Sequence, residues 1–324
     1  MSSIEKIKAP IAEEMNNFQK LFKAAMHNQS PLLSIITNYL YQRKGKQMRP
    51  IMVFLSAKMH GEINQSTYTA ASLIELLHTA TLVHDDIVDD SNYRRGFFSV
   101  YALWKSKISV LVGDYLLAQG LLLAVNNKEM EILEIVSHAV KEMSEGELLQ
   151  LEHARKFMLT ESQYLDIIEK KTAALLAACA ASGTSSVHAD NQIIEAMKQF
   201  GTNVGIAFQM KDDLLDYQNT GLLGKPTGND IKEQKMTLPL IYALENASYS
   251  TKKSMIQIIK KVKRDSSKLP QVIDFVIASG GIDYTSKKMN EYKNKALDLL
   301  NTFPDNESKL SLIQFVNFTT EREK

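Results

Sequence analysis

QSTYTAASLIELLHTATLVHDDIVDD (residues 65–90) decides how the rest of the chain is read. Residues 72–83 are apolar on nearly every side, so the stretch predicts a central, buried helix. It ends in four aspartates, Asp85, Asp86, Asp89 and Asp90, and Arg94 and Arg95 follow at once. Carboxylates are rarely buried unless they are paired or bind metal. A buried helix that ends in negative charge beside arginines therefore leaves two readings, a functional site or a solvated helix end.

The surrounding sequence agrees with a helical fold. The chain has 324 residues, 44% hydrophobic and 23% charged, enough for a sizeable core. No proline lies between Pro50 and Pro226, and helix interiors exclude proline. SPLLSIITNYLYQRKGKQMRP (30–50) predicts a helix capped by Ser30, opened by Pro31 and closed near Gly45. RPIMVFLSAKMHG (49–61) predicts one from Pro50 to Gly61. SKISVLVGDYLLAQGLLLAVNN (106–127) predicts a second buried helix, which Asp114 and Gln119 set apart from a membrane span. NTGLLGKPTGND (219–230) is the clearest loop, and from about Met236 the helices become shorter and more charged. No strand alternation and no Gly-, Ser- or Pro-rich linker stands out, so residues 1–324 are expected to form a single domain.

Composition excludes some classes of function. Lys and Arg number 38 against 37 Asp and Glu, which argues against a generic nucleic-acid binder. One cysteine, Cys179, cannot form an intrachain disulfide, and its apolar setting predicts a buried structural thiol. With no apolar signal core at the N-terminus, a reducing, cytoplasmic location is expected.

The acidic residues repeat. In DDIVD (85–89), Asp85 and Asp89 are four apart and share a helix face, about one turn of ~5.4 Å from each other. Hard oxygen ligands at that spacing suit Mg²⁺, which takes one or two carboxylates plus substrate phosphates. The pattern returns in FQMKDDLLD (208–216) with Asp212, Asp213 and Asp216. One copy could be a solvated helix end; two copies at the ends of apolar helices, facing one another across a helical cavity, would form the walls of a multi-metal diphosphate site. Asp90 falls outside that spacing. Cations suited to phosphate stand in GKQMRP (Lys46, Arg49), RRG (Arg94, Arg95), EKKTA (Lys171), GKPTG (Lys225) and KEQKMTLP (Lys235). Each alone reads equally well as a surface charge, and GKPTG lacks the spacing of a P-loop.

GKQMRP, HTATLVHDDIVDDSNYRRG, LVGDYL, GELLQL, EKKTA, FQMKDDLLD and GKPTGNDIKEQKMTLP occur in the order and spacing of the trans-prenyl diphosphate synthases. From about residue 40 to 245 the chain resembles that family, and most of all its long-chain polyprenyl branch. The resemblance implies an all-α fold of antiparallel helices around a deep central cavity, and a homodimer. It implies a Mg²⁺-dependent condensation of isopentenyl diphosphate with an allylic diphosphate, with about three ions per active site when substrate is bound. Carried over, Asp85, Asp86 and Asp89 hold Mg²⁺ on the allylic diphosphate, with Asp212 and Asp216 on the other wall. Arg94, Lys171, Lys225 and Lys235 bind the allylic diphosphate; Lys46, Arg49, His78 and Arg95 bind isopentenyl diphosphate; Gln150, Thr172 and Gln209 line the reacting carbons. His84 reads as structural. A bulky aromatic five or four positions before the first aspartate blocks the growing chain in this family; here Ala80 and Thr81 are small, leaving a path along Leu77, Ile74 and Leu73. The expected product is roughly thirty to forty carbons long, for quinone side chains, with at most peripheral membrane contact for its release. Small residues that merely serve helix packing are the other reading.

Two alternatives stay open on the sequence. A shorter-chain farnesyl or geranylgeranyl synthase would share the motifs. So would the catalytic subunit of a two-component synthase, whereas a non-catalytic subunit should have lost aspartates or arginines. A terpene cyclase would share the first motif, but DDLLD and GKQMRP argue against it.

Overall fold

The computed structural model describes residues 3–154, 159–217 and 228–322. The fold is all-α apart from one short ladder. In chain order the elements are α1 (Ser3–Lys8), α2 (Ala12–Ala25), α3 (Pro31–Gln42), α4 (Met48–His60), α5 (Gln65–Val88), β1 (Tyr93–Arg94), β2 (Phe97–Phe98), α6 (Val100–Asn126), α7 (Met130–Ala154) and α8 (Glu161–Ile168). They continue with α9 (Ala174–Ser185), α10 (Asn191–Asp216), α11 (Asn229–Lys232), α12 (Leu238–Glu245), α13 (Tyr249–Val262), α14 (Leu269–Ala278), α15 (Gly281–Asn301) and α16 (Glu307–Glu321). They form two compact units: Met1–Ser137 with Ala178–Lys198 and Asp305–Leu312, and His138–Ala177 with Gln199–Pro304 and Ile313–Lys324.

The first unit is built on α5. The Asn64 side chain accepts from the backbone N–H groups of Ser66 and Thr67, and Thr67 returns the bond, a capping box that fixes the helix start. Ala70 to His78 are all buried, as the continuous apolar run requires. α6 runs alongside α5. Gly113 permits the approach, since a Cβ there would stand 2.2 Å from His84 Nε2. His84 is thus a packing residue, with Nε2 also 3.4 Å from Asp114. Cys179 is fully buried, and burial pushes its thiol up to about 12, as expected of a structural thiol.

Several boundaries differ from the sequence expectation. α3 ends at Gln42 rather than Gly45, and Ser30 makes no side-chain capping bond. α4 opens at Met48, with Pro50 in its first turn, where a missing N–H costs no helix bond. α6 is not buried like α5: Leu111, Leu122 and Val125 are exposed. It is the one helix among the described residues long and apolar enough to cross a membrane by length and composition, with 33% of the apolar window buried. β1 and β2 pair antiparallel, Tyr93 opposite Phe98, and turn through Arg95 and Gly96, both at positive φ. That backbone favours glycine in a two-residue hairpin.

The second unit has its own apolar core, including Ile167, Ile206, Met210, Ile241, Val272 and Val276. A π-helical turn, Glu169–Ala173, joins α8 to α9 and carries Lys171 and Thr172. Such wide turns frequently accompany functional sites.

Candidate active site

In the first unit the aspartates straddle the end of α5. Asp89 is the C-cap, and its N–H still donates to the Asp85 carbonyl at 2.9 Å, so the two remain one turn apart. Asp85 is half-buried and Asp89 exposed. Asp86 turns inward, 3% exposed, and accepts from Arg94 Nε at 2.6 Å. Burial raises the Asp86 pKa, and Arg94 opposes the rise. Asp90 adopts positive φ and accepts from the Tyr101 hydroxyl at 3.0 Å, apart from Asp86 and Arg94.

A second group in that unit is cationic. A Cβ on Gly45 would lie 2.7 Å from Arg95 Cζ, so the hairpin arginine lies against GKQMRP. Arg49 sits in the first turn of α4 with Nε buried and without a hydrogen-bond partner. Burial lowers its pKa, Glu75 opposes, and Arg95 adds to the lowering. His78 on α5 is 8% exposed, with Nδ1 buried and without a partner. Burial, then Arg49, Arg95 and Arg94, holds it well below the usual histidine range, so it is neutral at pH 7. The structure thus groups Arg49, Arg95 and His78, while Lys46, next to Gly45, is exposed. Glu75, buried on α5 among these cations, has its pKa raised by burial and was not singled out from the sequence.

In the second unit a cavity of about 120 Å³ gathers Gln150, Lys171, Thr172, Gln209 and Lys235. The Thr172 hydroxyl donates to Gln209 Oε1 at 2.8 Å. Gln209 Nε2 donates to Asp213 Oδ1 at 2.9 Å, and the Tyr164 hydroxyl donates to Asp213 Oδ2 at 2.6 Å. Lys171 donates to Gln150 Oε1 at 3.3 Å and pairs with Glu147. Lys235 pairs with Glu233 at 2.6 Å. Asp213 is buried and its pKa is pushed up to about 7, by burial first and Asp230 second. Asp230, at about 6, is raised by burial and then by Asp216.

Asp216 accepts from the backbone N–H groups of Asn229 and Asp230, each at 3.0 Å, so its carboxylate holds the first turn of α11. Asp212 is paired with Arg322, which also lies 4.2 Å over the Phe208 ring. Lys225 lies outside the described residues. Tyr164, Asp230 and Arg322 were missed in the sequence; of these, Asp230 had a signal, since it closes the GKPTGND stretch.

Ala80 and Thr81 occupy different settings on α5. Ala80 is 2% exposed, whereas Thr81 is half-buried and donates its hydroxyl to the His78 carbonyl at 2.9 Å.

Among the described residues no three His, Cys, Asp or Glu side chains form a metal cage. The oxygen-only donor set still fits a hard divalent cation, because Mg²⁺ needs one or two carboxylates when phosphate oxygens complete its shell.

The pattern of the family Polyprenyl synthetase matches residues 30–276. The chain belongs to the polyprenyl synthetase family. It is a polyprenyl diphosphate synthase, a prenyltransferase. It is 35% identical to the all-trans-nonaprenyl-diphosphate synthase (geranyl-diphosphate specific) of Rhodobacter capsulatus, over 98% of this chain and 97% of that one. It is similar to the polyprenyl synthase of Caulobacter crescentus CB15 solved with calcium and isoprenyl diphosphate, at TM-score 0.90 and 32% identity, covering 99% of this chain and 98% of the other. The geranylgeranyl pyrophosphate synthase of Bacteroides thetaiotaomicron matches at TM-score 0.85 and 38% identity, covering 99% and 100%. The fold expected from the motifs is the fold of these polyprenyl synthetases, and the family implies isoprenyl diphosphate substrates and a divalent metal.

Proposed function

We propose that this polyprenyl diphosphate synthase condenses isopentenyl diphosphate with an allylic diphosphate, using Mg²⁺, to make a long-chain all-trans product for quinone side chains. The observation that carries the reading is the second-unit cavity, where Lys171, Thr172 and Gln209 converge. Asp85, Asp86 and Asp89, and in the second unit Asp212 and Asp216, would hold the metal. When bound, Mg²⁺ supplies positive charge against the diphosphate leaving group.

The chain's own groups then divide the work. Arg94, Lys171, Lys225 and Lys235 bind the allylic diphosphate as its C–O bond ionises. Preorganised cations favour the charge that develops on the leaving oxygen. The Thr172 and Gln209 oxygens lie beside the allylic carbons and stabilise positive charge without attacking it. Arg49, Lys46, Arg95 and neutral His78 bind isopentenyl diphosphate. Its double bond attacks the allylic carbon, a C–C bond forms, and the released diphosphate takes the proton lost.

A homodimer belongs to the same reading, supported by the exposed apolar residues of α6. A cytoplasmic location is supported by the single buried cysteine. Small Ala80 favours a product of roughly thirty to forty carbons, and the nonaprenyl relative favours the long-chain end of the family. A second reading, a geranylgeranyl product, is favoured by the 38% identity to a synthase of that name. Asp85→Ala and, separately, Asp212→Ala should each abolish condensation while circular dichroism shows unchanged helix content. Condensation at the wild-type rate in either variant would overturn that aspartate's role.

A further inference from the structure

Tyr164 has no place in the reaction as described, yet it anchors the polar network of the cavity. It is 3% exposed on α8, held in place by the Thr160–Gln163 capping box that starts the helix. Its hydroxyl donates to Asp213 Oδ2 at 2.6 Å. The other oxygen of Asp213 accepts from Gln209 Nε2 at 2.9 Å, and Gln209 Oε1 accepts from Thr172 at 2.8 Å. These three bonds decide which end of the Gln209 amide meets Thr172. With Asp213 ionised, the flipped amide would set Oε1 against Oδ1, two acceptors together, and the bond would be lost. Tyr164 occupies the far side of the same carboxylate and holds it against rotation.

We propose that Tyr164 is a positioning residue of the condensation: through Asp213 it fixes the Gln209 amide with its oxygen toward Thr172, where positive charge develops on the allylic carbon. The inference rests on the role proposed above for Gln209. It accounts for the middle aspartate of DDLLD, whose two oxygens serve side chains and not a metal. It also gives the reach from α8 to α10 a purpose beyond packing. An amide oxygen is worth most to a developing cation when its orientation is set beforehand. Without the phenol hydroxyl the carboxylate can turn, and the amide with it.

The test is a double-mutant cycle on the full chain with isopentenyl diphosphate, an allylic primer and Mg²⁺. Tyr164→Phe should lower kcat about tenfold, with both KM values within about twofold of wild type. Gln209→Ala should also lower kcat. In the Gln209→Ala background the added Tyr164→Phe should cost less than about twofold, because its route to the carbon is already gone. Melting temperatures read the packing role separately, and a purely structural residue would give the same kcat loss in both backgrounds. That result, or a wild-type kcat in Tyr164→Phe alone, would overturn the proposal while leaving the role of Gln209 intact. A wild-type kcat in Gln209→Ala would overturn the role of Gln209 and that of Tyr164 with it. Should Tyr164→Phe fail to fold, Asp213→Asn reaches the same amide: its kcat should fall at least as far, and an unchanged kcat would contradict the proposal.

Discussion

Burial on α5 places His78 among Arg49, Arg94 and Arg95, and the burial and the three cations all disfavour its charged form. The folded pKa is therefore well below 6.5, while the unfolded chain protonates near that value. The stability contributed is fully present above pH 6.5 and is lost as pH falls toward the folded pKa, at about 1.4 kcal/mol per unit. Denaturant unfolding at pH 7.5 and 5.5 should show wild type losing about 1 kcal/mol more than His78→Asn on acidification. Asp213 and Asp230, raised to about 7 and about 6, act in the opposite sense, but they are common to both proteins and cancel in the comparison. An equal pH response in the two proteins would mean that His78 is not held neutral. At this scale the sequence was informative where spacing carries meaning. Asp85 and Asp89 are legible because four residues make one helical turn. Asp213 has the same local context as Asp86, and its inward bond is set by Tyr164, 49 residues earlier in the chain. No local pattern encodes such a contact.

The two long helices α5 and α6 differ in how much of themselves was legible. The buried face of α5 follows from a continuous apolar run, whereas its Asn64 cap went unread. The same rule failed for α6, because hydropathy shows that a face avoids water but not what covers it. The hairpin after α5 escaped notice because two-residue strands carry no alternation. Ala80 is buried on α5, and below it Leu73 and Leu77 lie near Gly120 of α6, where a Cβ would come 3.2 Å from Leu73 Cδ1. If the proposed product path runs past Ala80, an aromatic side chain at position 80 would occupy space the growing prenyl chain needs. Ala80→Phe should therefore shorten the product, as read by reversed-phase chromatography of the dephosphorylated prenols. An unchanged product length would show that the chain takes another path.

The whole molecule was legible as one all-helical enzyme of a known family, yet its division into two compact units was not. All their boundaries but the one between Pro304 and Asp305 fall inside continuous helices, as between Ser137 and His138 of α7 and between Lys198 and Gln199 of α10, so linker composition does not mark the division. In the proposed homodimer the exposed apolar residues of α6 would form the interface. Leu122→Lys, at a position 53% exposed, should convert a dimer to a monomer in sedimentation without loss of helix content. A wild-type sedimentation profile in the variant would remove α6 from the interface.

The central claim is that this chain by itself builds a long prenyl diphosphate. It is tested most directly by incubating the purified protein with labelled isopentenyl diphosphate, Mg²⁺ and allylic primers of about ten, fifteen and twenty carbons, then sizing the products. Condensation that stops on chelation of the metal, with products of roughly thirty to forty carbons, is the predicted result. No condensation by the chain alone, or products that end at about twenty carbons whichever primer is supplied, would contradict it.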